Sequence, residues 1–449
     1  MGINLRDYQQ IVLDKARQEL ASGKKSVLCV CATGGGKSYI FMDMADRCKG
    51  KVLVLVHRGE LKAQHIAEFR KNEIPMDNII VETVQTVYRH FDDYPDVKMV
   101  IADEAHLFLA KTFKATVEHF AKQGAYTIGF SASPVRLDGS SMSDIFETMV
   151  EGPQTAELIE KKRLCPYEYY APLTVDVSNL KKQRGDYATK DVEELMEPAI
   201  YGRVIDEFKK LCPNKQAIAF CVSIKHSQQV AQQFAEAGIK AAHIDGKTPD
   251  NERALLMEKF RKNEIQVLTN VNLFSEGISV DGIGAVLMLR PTASLALCLQ
   301  QWGRGLRYQP GKVCTILDCV GNYTRHGLPD EHRDWSLTAP VKEHKTHNAD
   351  GTFTVRQCPF CYKCFRTSPV CPFCGEEYPL SARELQVIEE IELKKIEAAQ
   401  LKAEAERKAK MKEDVRNART LDDFLKIARI NGYSPAWAYK RASLRGYRR

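Results

Sequence analysis

Residues 31–38 read Cys31-Ala32-Thr33-Gly34-Gly35-Gly36-Lys37-Ser38. They follow the short apolar run Ser26–Val30 and precede an amphipathic segment that begins at Tyr39. A strand, a glycine loop and a helix in that order is the setting in which backbone N–H groups wrap a polyphosphate. The glycines keep side chains out of the cradle, and the helix turns its positive end to the same phosphates. Thr33, Gly34, Gly35 and Gly36 would line the cradle. Lys37 would reach the β- and γ-phosphates of ATP, and the Ser38 hydroxyl would ligate Mg2+. Cys31 stands where the general pattern has its first glycine. An ordinary glycine turn ahead of Lys-Ser is the alternative, and the surrounding chain decides between them.

Outward from the loop, apolar runs recur at Lys51–Val56, Ile79–Val81, Val97–Ala102 and Tyr126–Phe130, with helical patterns between them. Continuous apolar runs of this length fit parallel strands buried on both faces. The alternation predicts a doubly wound α/β domain over residues 1–163. Ligands of such sheets bind beyond the carboxyl ends of the strands, where the polar motifs fall. Residues 164–200 are less regular and read as a connection with a short helix near 190–196. A second alternating unit covers 201–335, with strands expected at Ala217–Val222, Ala241–Ile244, Gln266–Thr269, Ala285–Leu289 and Val313–Leu317.

The end of the fourth run supplies what hydrolysis of ATP needs. Asp103 would hold Mg2+ through water, and Glu104 would act as general base. His106 sits beside them and would couple the attacking water to Ser131 or Ser133. Gln9, on a helix upstream of the loop, carries an amide able to read an adenine edge. In the second unit, Gln300-Gln301-Trp302-Gly303-Arg304-Gly305-Leu306-Arg307 places Arg304 and Arg307 three apart, read here as one helical face. Facing the γ-phosphate across a cleft, they would act as arginine fingers.

Cys358-Pro-Phe-Cys361 and Cys371-Pro-Phe-Cys374 form paired Cys-x-x-Cys knuckles, a strong signal for a structural Zn2+ site over 352–379. Cys364 is a fifth cysteine in the cluster. The other nine of the 14 cysteines are scattered, which fits a reducing compartment better than a disulfide scaffold. Residues 380–449 read as a charged helix to about 415, then a short amphipathic helix and a basic, aromatic end. Residues 381–449 hold 17 Lys/Arg against 11 Asp/Glu, most of the chain's net charge of +7. A polyanion or a protein partner on the ribbon and tail is one reading of that charge, and a solvated helix the other. No signal core or membrane-length apolar run is present, so the cytoplasm of a bacterial or phage-infected cell is expected, with no membrane partner.

Tyr8-Gln9, Ala32–Ser38, Val54–Gln64, Val84-Gln85-Thr86, Asp103–His106, Ser131–Pro134, Phe220–Ser223, Thr269–Gly277 and Gln300–Arg307 follow one another over roughly residues 1–320. In that order they resemble the motifs of superfamily 2 helicases of the DEAD/DEAH type. Phe130–Arg136, Arg290-Pro-Thr292 and the downstream cysteines are similar to RadD-type DNA-repair helicases and their phage-encoded relatives. The resemblance implies two RecA-like domains with ATP between them and single-stranded or forked DNA across their tops. Gln300 and the two arginines would complete the ATP site, and Gly277 would neighbour the nucleotide. Phosphate contacts would fall at Arg58, Gln64, Gln85, Thr86, Ser223 and Thr269. Contacts of this kind position a strand without reading its sequence, so RNA remains an alternative substrate. A nucleic-acid-binding scaffold with little motor activity is a third reading.

Overall fold

The structure, a computed structural model, describes residues 3–108, 110–136, 140–172, 175–177, 180–183, 186–195, 198–271, 282–338, 355–366, 368, 370–377, 410–411, 413–431 and 433–447. The chain forms two compact units. One holds both large sheets and the cysteine cluster, and the other holds the C-terminal helices.

Six parallel strands build the first sheet: β1 (Ser26–Val30), β2 (Lys51–Val56), β3 (Ile79–Thr83), β4 (Val97–Ala102), β5 (Tyr126–Ser131) and β6 (Thr148–Glu151), in the order β3-β2-β4-β5-β1-β6. The apolar runs are continuous because both faces are covered. Val52, Val54 and Val56 pack with residues of α1 (Asp7–Ala21), α2 (Lys37–Arg47) and α3 (Gly59–Lys71). Leu53 and Leu55 point the other way, toward α4 (Val84–Arg89) and α5 (Ala110–Lys122). Each fully buried Val, Leu or Phe contributes roughly 1.5–3 kcal/mol. Val30 pairs with Ser131 and Ala102 with Gly129. That register brings the carboxyl ends of β1, β5 and β4 side by side, and with them the glycine loop, Ser131 and Asp103.

A short α6 (Thr155–Glu160) leads to the second sheet, also parallel. Its strands are β7 (Tyr167–Tyr170), β10 (Ala217–Phe220), β11 (Ala241–Ile244), β12 (Val267–Asn270), β13 (Ala285–Met288) and β14 (Cys314–Asp318), in the order β11-β12-β10-β13-β14-β7. Residues 164–200, read from the sequence as a connection, thus contain an edge strand. Its four residues (Tyr-Glu-Tyr-Tyr) lack the apolar run that marks a buried strand, since an edge position needs none. The two-residue strands β8 (Lys182–Gln183) and β9 (Asp186–Tyr187) follow, then α7 (Thr189–Leu195) and α8 (Pro198–Leu211). Asp186 ties this stretch to the second sheet by accepting from Thr292 Oγ1 (3.0 Å), Ala293 N (2.7 Å) and Arg290 Nη2 (2.8 Å). The helices α9 (Ile224–Glu236), α10 (Asp250–Arg261) and α11 (Leu295–Gly305) cover the faces.

After a single turn at α12 (Tyr323–His326), the chain crosses back to the first sheet. The Gln154 side-chain amide donates to Arg333 O (2.8 Å), and its oxygen accepts from Arg333 N (2.9 Å). Trp335 and Leu337 pack on the apolar cluster around Phe146.

The cysteine cluster carries a two-stranded antiparallel ribbon, β15 (Val355–Gln357) and β16 (Cys364–Arg366). It is fixed to the second sheet's edge. Ala171 N donates to Tyr362 O (2.8 Å), Tyr170 forms a bridge with Lys363, and Lys363 Nζ meets Glu168 Oε1 at 2.8 Å. In the other unit, helices over Leu421–Asn431 and Pro435–Leu444 bury Phe424, Ile427, Ala438 and Ala442 against one another. The long helix expected from 381 to about 415 lies almost wholly outside the described residues.

Candidate functional site

The loop between β1 and α2 adopts the conformation its glycines allow. Gly34 and Gly36 have φ of +82° and +79°, in the left-handed region where a Cβ is disfavoured. A Cβ on Gly36 would lie 2.4 Å from Gln9 Nε2. Gln9 is buried against this loop. Its Nε2 donates to Gly36 O (3.1 Å) and Gly35 O (3.4 Å), its Oε1 accepts from Arg6 N (2.9 Å), and Tyr8 OH donates to Gly35 O (3.1 Å). Reading an adenine with Gln9 therefore requires an exchange of these bonds. The Cys31 thiol is buried beside Gly152, and burial pushes its pKa up to about 12, so it behaves as a small apolar residue.

Lys37 reaches Glu104, with Nζ 2.9 Å from Oε1. Glu104 has φ of +49°, uncommon for a side-chain-bearing residue. The turn swings the chain from β4 into a single helical turn over Ala105–Leu107, so Glu104 and His106 face the loop together. Ser131 Oγ lies 2.8 Å from His106 Nδ1 and 2.5 Å from Ser133 O. On the other side of the ring, Gln300 Nε2 lies 2.8 Å from His106 Nε2. One proton arrangement satisfies all three contacts. The Gln300 amide donates to Nε2, Nδ1–H donates to Ser131, and the Ser131 hydroxyl donates to Ser133 O. The chain Ser131–His106–Gln300 thereby joins the first sheet to α11 of the second.

Contact between the sheets is close at α11. A Cβ on Gly303 would lie 2.4 Å from Thr33 Cγ2, so only glycine lets this helix meet the phosphate loop. Thr33 Oγ1, Gln300 Oε1, Gln301 Oε1 and Trp302 Nε1 are buried there with no hydrogen-bond partner among the described residues. Buried polar atoms left in this way mark a place for a polar ligand. Together with Lys37, they fit polyphosphate and its metal, with Ser38 and Asp103 as the residues that would hold Mg2+.

Arg304 is buried on α11. Arg307 is not on that helix, contrary to the reading of one helical face. The helix ends at Gly305, where a Cβ would collide with Cys314 Sγ at 2.4 Å, and the backbone of Arg307 bridges to Leu164. Gly277 lies outside the described residues.

Asp103 has a partner that no sequence motif announced. His65, on α3, places Nε2 2.9 Å from Asp103 Oδ2 and Nδ1 3.4 Å from Glu68 Oε2. Burial alone would lower the His65 pKa, but the bonds and charges of Asp103 and Glu68 push it up to about 10. Burial likewise opposes ionisation of Asp103, yet His65, Lys37 and His57 outweigh it and hold the carboxyl below its usual range.

The residues expected at a nucleic-acid strand stand on several elements. Arg58 caps α3 and Gln64 lies on it, while Gln85 and Thr86 open α4. Ser223 caps α9 and accepts from His226 N (3.2 Å). Helix starts of this kind follow the carboxyl ends of β2, β3 and β10. Thr269 is fully buried, with Oγ1 bonded to Ser227 (2.9 Å), and its side chain is not presented at a surface.

At the cysteine cluster, the Sγ atoms of Cys358, Cys361, Cys371 and Cys374 lie within 4.8 Å of one another. Cys358 and Cys374 are 3.6 Å apart, and Cys361 and Cys371 are 3.8 Å apart. Tetrahedral zinc with bonds of ~2.3 Å sets sulfurs about 3.8 Å apart, so the set fits Zn2+. Cys364 stands apart from it, buried among apolar residues of the second sheet, and burial raises its pKa well above the usual value.

Residues 2–136 match the family described as Type III restriction enzyme, res subunit, and residues 202–309 match the helicase conserved C-terminal domain. The chain is 36% identical over 386 residues to a 51.5 kDa protein of a Lactococcus phage, covering 84% of each. It is 30% identical over 354 residues to IRC3 of Saccharomyces cerevisiae, which bears the name of an ATP-dependent helicase; the match covers 71% of this chain and 51% of IRC3, so the chain spans about half of that relative. It is 22% identical over 366 residues to the DNA 3'-5' translocase XPB2 of Sulfurisphaera tokodaii, covering 70% of this chain and 81% of the relative.

Proposed function

The chain belongs to the superfamily 2 helicases, nucleic-acid-dependent ATPases, and from that premise we propose that it is a DNA helicase or translocase of the RadD type. It would move on single-stranded or branched DNA during repair, recombination or phage DNA metabolism, in the cytoplasm of a bacterial or phage-infected cell. The observation that carries the reading is the Ser131–His106–Gln300 chain, which makes the ATP site depend on both sheets at once. A site split in this way opens and closes with ATP and so drives one domain against the other. The name of the XPB2 relative supports DNA as the track.

The roles follow from position. Thr33, Gly34, Gly35, Gly36 and Lys37 cradle the phosphates. Ser38 and Asp103 would hold Mg2+, which would supply positive charge beside the phosphates. Glu104 takes the proton of the attacking water, His106 orients it, and Arg304 stabilises the charge that forms opposite Lys37. Arg307 assists from beyond the helix end, and Gln9 and Gly277 flank the nucleotide. Arg58, Gln64, Gln85, Thr86 and Ser223 bind strand phosphates, with Thr269 as the buried support beneath them. The four cysteines would hold zinc, which would fix the ribbon as an extension of the second domain, and the ribbon and the tail are each a candidate contact for duplex DNA or a protein. Residues 1–163 form the first domain and 201–335 the second, with 164–200 fastened to the latter.

The test is ATPase and unwinding on matched DNA and RNA forks with each tail polarity. DNA forks are expected to raise the rate and to be opened. Stimulation by RNA alone overturns the choice of track.

A further inference from the structure

Beyond those roles, and resting on the helicase reading, we propose that His65 is a positioning residue that couples the nucleic-acid face of α3 to the Mg2+-holding carboxylate of Asp103. The coupling is a single line of contacts. Gln64 Nε2 donates to Glu68 Oε1 at 3.0 Å. Glu68 Oε2 faces His65 Nδ1 at 3.4 Å, and His65 Nε2 meets Asp103 Oδ2 at 2.9 Å. The line begins at a half-buried amide on the helix expected to hold the strand and ends at the ATP site.

Helix geometry makes the line possible. Gln64 and Glu68 are four residues apart and His65 and Glu68 three apart, so their side chains share one face of α3. His65 is wedged in place, edge-on to Phe41 of the helix that follows the phosphate loop, with centroids 5.2 Å apart and planes at 82°. The ring therefore touches the helix after the phosphate loop and the residue just beyond β4: α2 through Phe41, and Asp103 itself.

The middle link is the part that can change. His65 Nδ1 and Glu68 Oε2 are both buried, and their pairing is the loosest link of the line. At 3.4 Å they face each other just beyond the length of a good hydrogen bond. A strand phosphate that draws Gln64 away from Glu68 frees that carboxylate to turn toward His65. The link then shortens, and His65 holds Asp103 in one orientation. A histidine that served only to fill space would pack against Phe41 equally well with no carboxylate at either nitrogen.

Partners that orient a metal-holding carboxylate typically matter 10–100-fold in metal affinity or activity. The experiment measures ATP turnover by the full chain as a function of Mg2+, with and without single-stranded DNA. His65→Ala is expected to raise the Mg2+ concentration for half-maximal rate about tenfold and to cut the factor by which DNA stimulates the rate by about tenfold. His65→Gln, which keeps a donor toward Asp103, is expected to recover most of the Mg2+ response. Glu68→Gln is expected to lower the stimulation factor while the Mg2+ midpoint stays near that of the wild type. A His65→Ala chain that responds to both Mg2+ and DNA as the wild type does overturns this inference alone. A wild-type chain whose rate ignores every nucleic acid overturns the helicase reading itself.

Discussion

Glu104 is held by two contacts, one at each carboxylate oxygen. Lys37 Nζ lies 2.9 Å from one carboxylate oxygen and His106 Nδ1 lies 3.5 Å from the other. In the proposed mechanism a phosphate in the cradle would draw Lys37 away, and the freed oxygen would accept the proton. Glu104→Gln keeps the shape and removes the basicity. It is expected to lower turnover at least 100-fold, in the range for loss of a general base, while ATP-dependent retention on DNA persists. Filter binding with ATP, beside a turnover assay, reads both effects, and normal turnover would take Glu104 out of that role. The residues legible in the sequence are those whose chemistry demands a type at a spacing, such as Lys37 or Asp103-Glu104. His65 was illegible because nothing near it in sequence ties it to Asp103, 38 residues on. Only folding brings α3 beneath β4.

At the scale of elements, strands buried on both faces announced themselves by composition, as Lys51–Val56 did. β7 did not. An edge strand of tyrosines and a glutamate carries no such run, and what defines it is its partner β14. The end of α11 was equally hidden, since Gly305 is set by the Cys314 sulfur against it. The ribbon shows both sides. The four cysteines that fit Zn2+ stood out in the knuckle spacing, whereas the place of Cys364 depends on the second sheet against which it is buried. Removing zinc with a selective chelator in excess Mg2+ is expected to raise hydrogen exchange over 355–377 and at β7, which the ribbon pairs through Ala171 and Tyr170. Basal ATPase is expected to stay within about twofold, because no ligand of the ribbon lies at the phosphate loop. Exchange that rises equally across both large sheets would show that the ribbon is not a separate module.

Among the described residues, the two sheets and their helices meet at Gly303 on Thr33, Gln300 on His106 and Arg333 on Gln154, and also where Arg253 faces Glu60 at 3.5 Å. The first two belong to motifs that the sequence displayed. The third comes from a chain segment with no motif, and its value is geometric, holding the sheets near one another whatever occupies the cleft. On the proposed mechanism, the ATP site is complete only when the second sheet closes on the first in response to a nucleic-acid strand. Arg304 is the residue on which that claim turns, because it is buried on the second sheet's side and makes none of the phosphate cradle. The most direct measurement is the ATP turnover rate of the wild type and Arg304→Ala, each with and without single-stranded DNA. Wild-type stimulation by DNA and a loss of about 1,000-fold or more in the stimulated Arg304→Ala rate are predicted, in the range for a charge-stabilising arginine. An Arg304→Ala chain that hydrolyses ATP with DNA as fast as the wild type would contradict it.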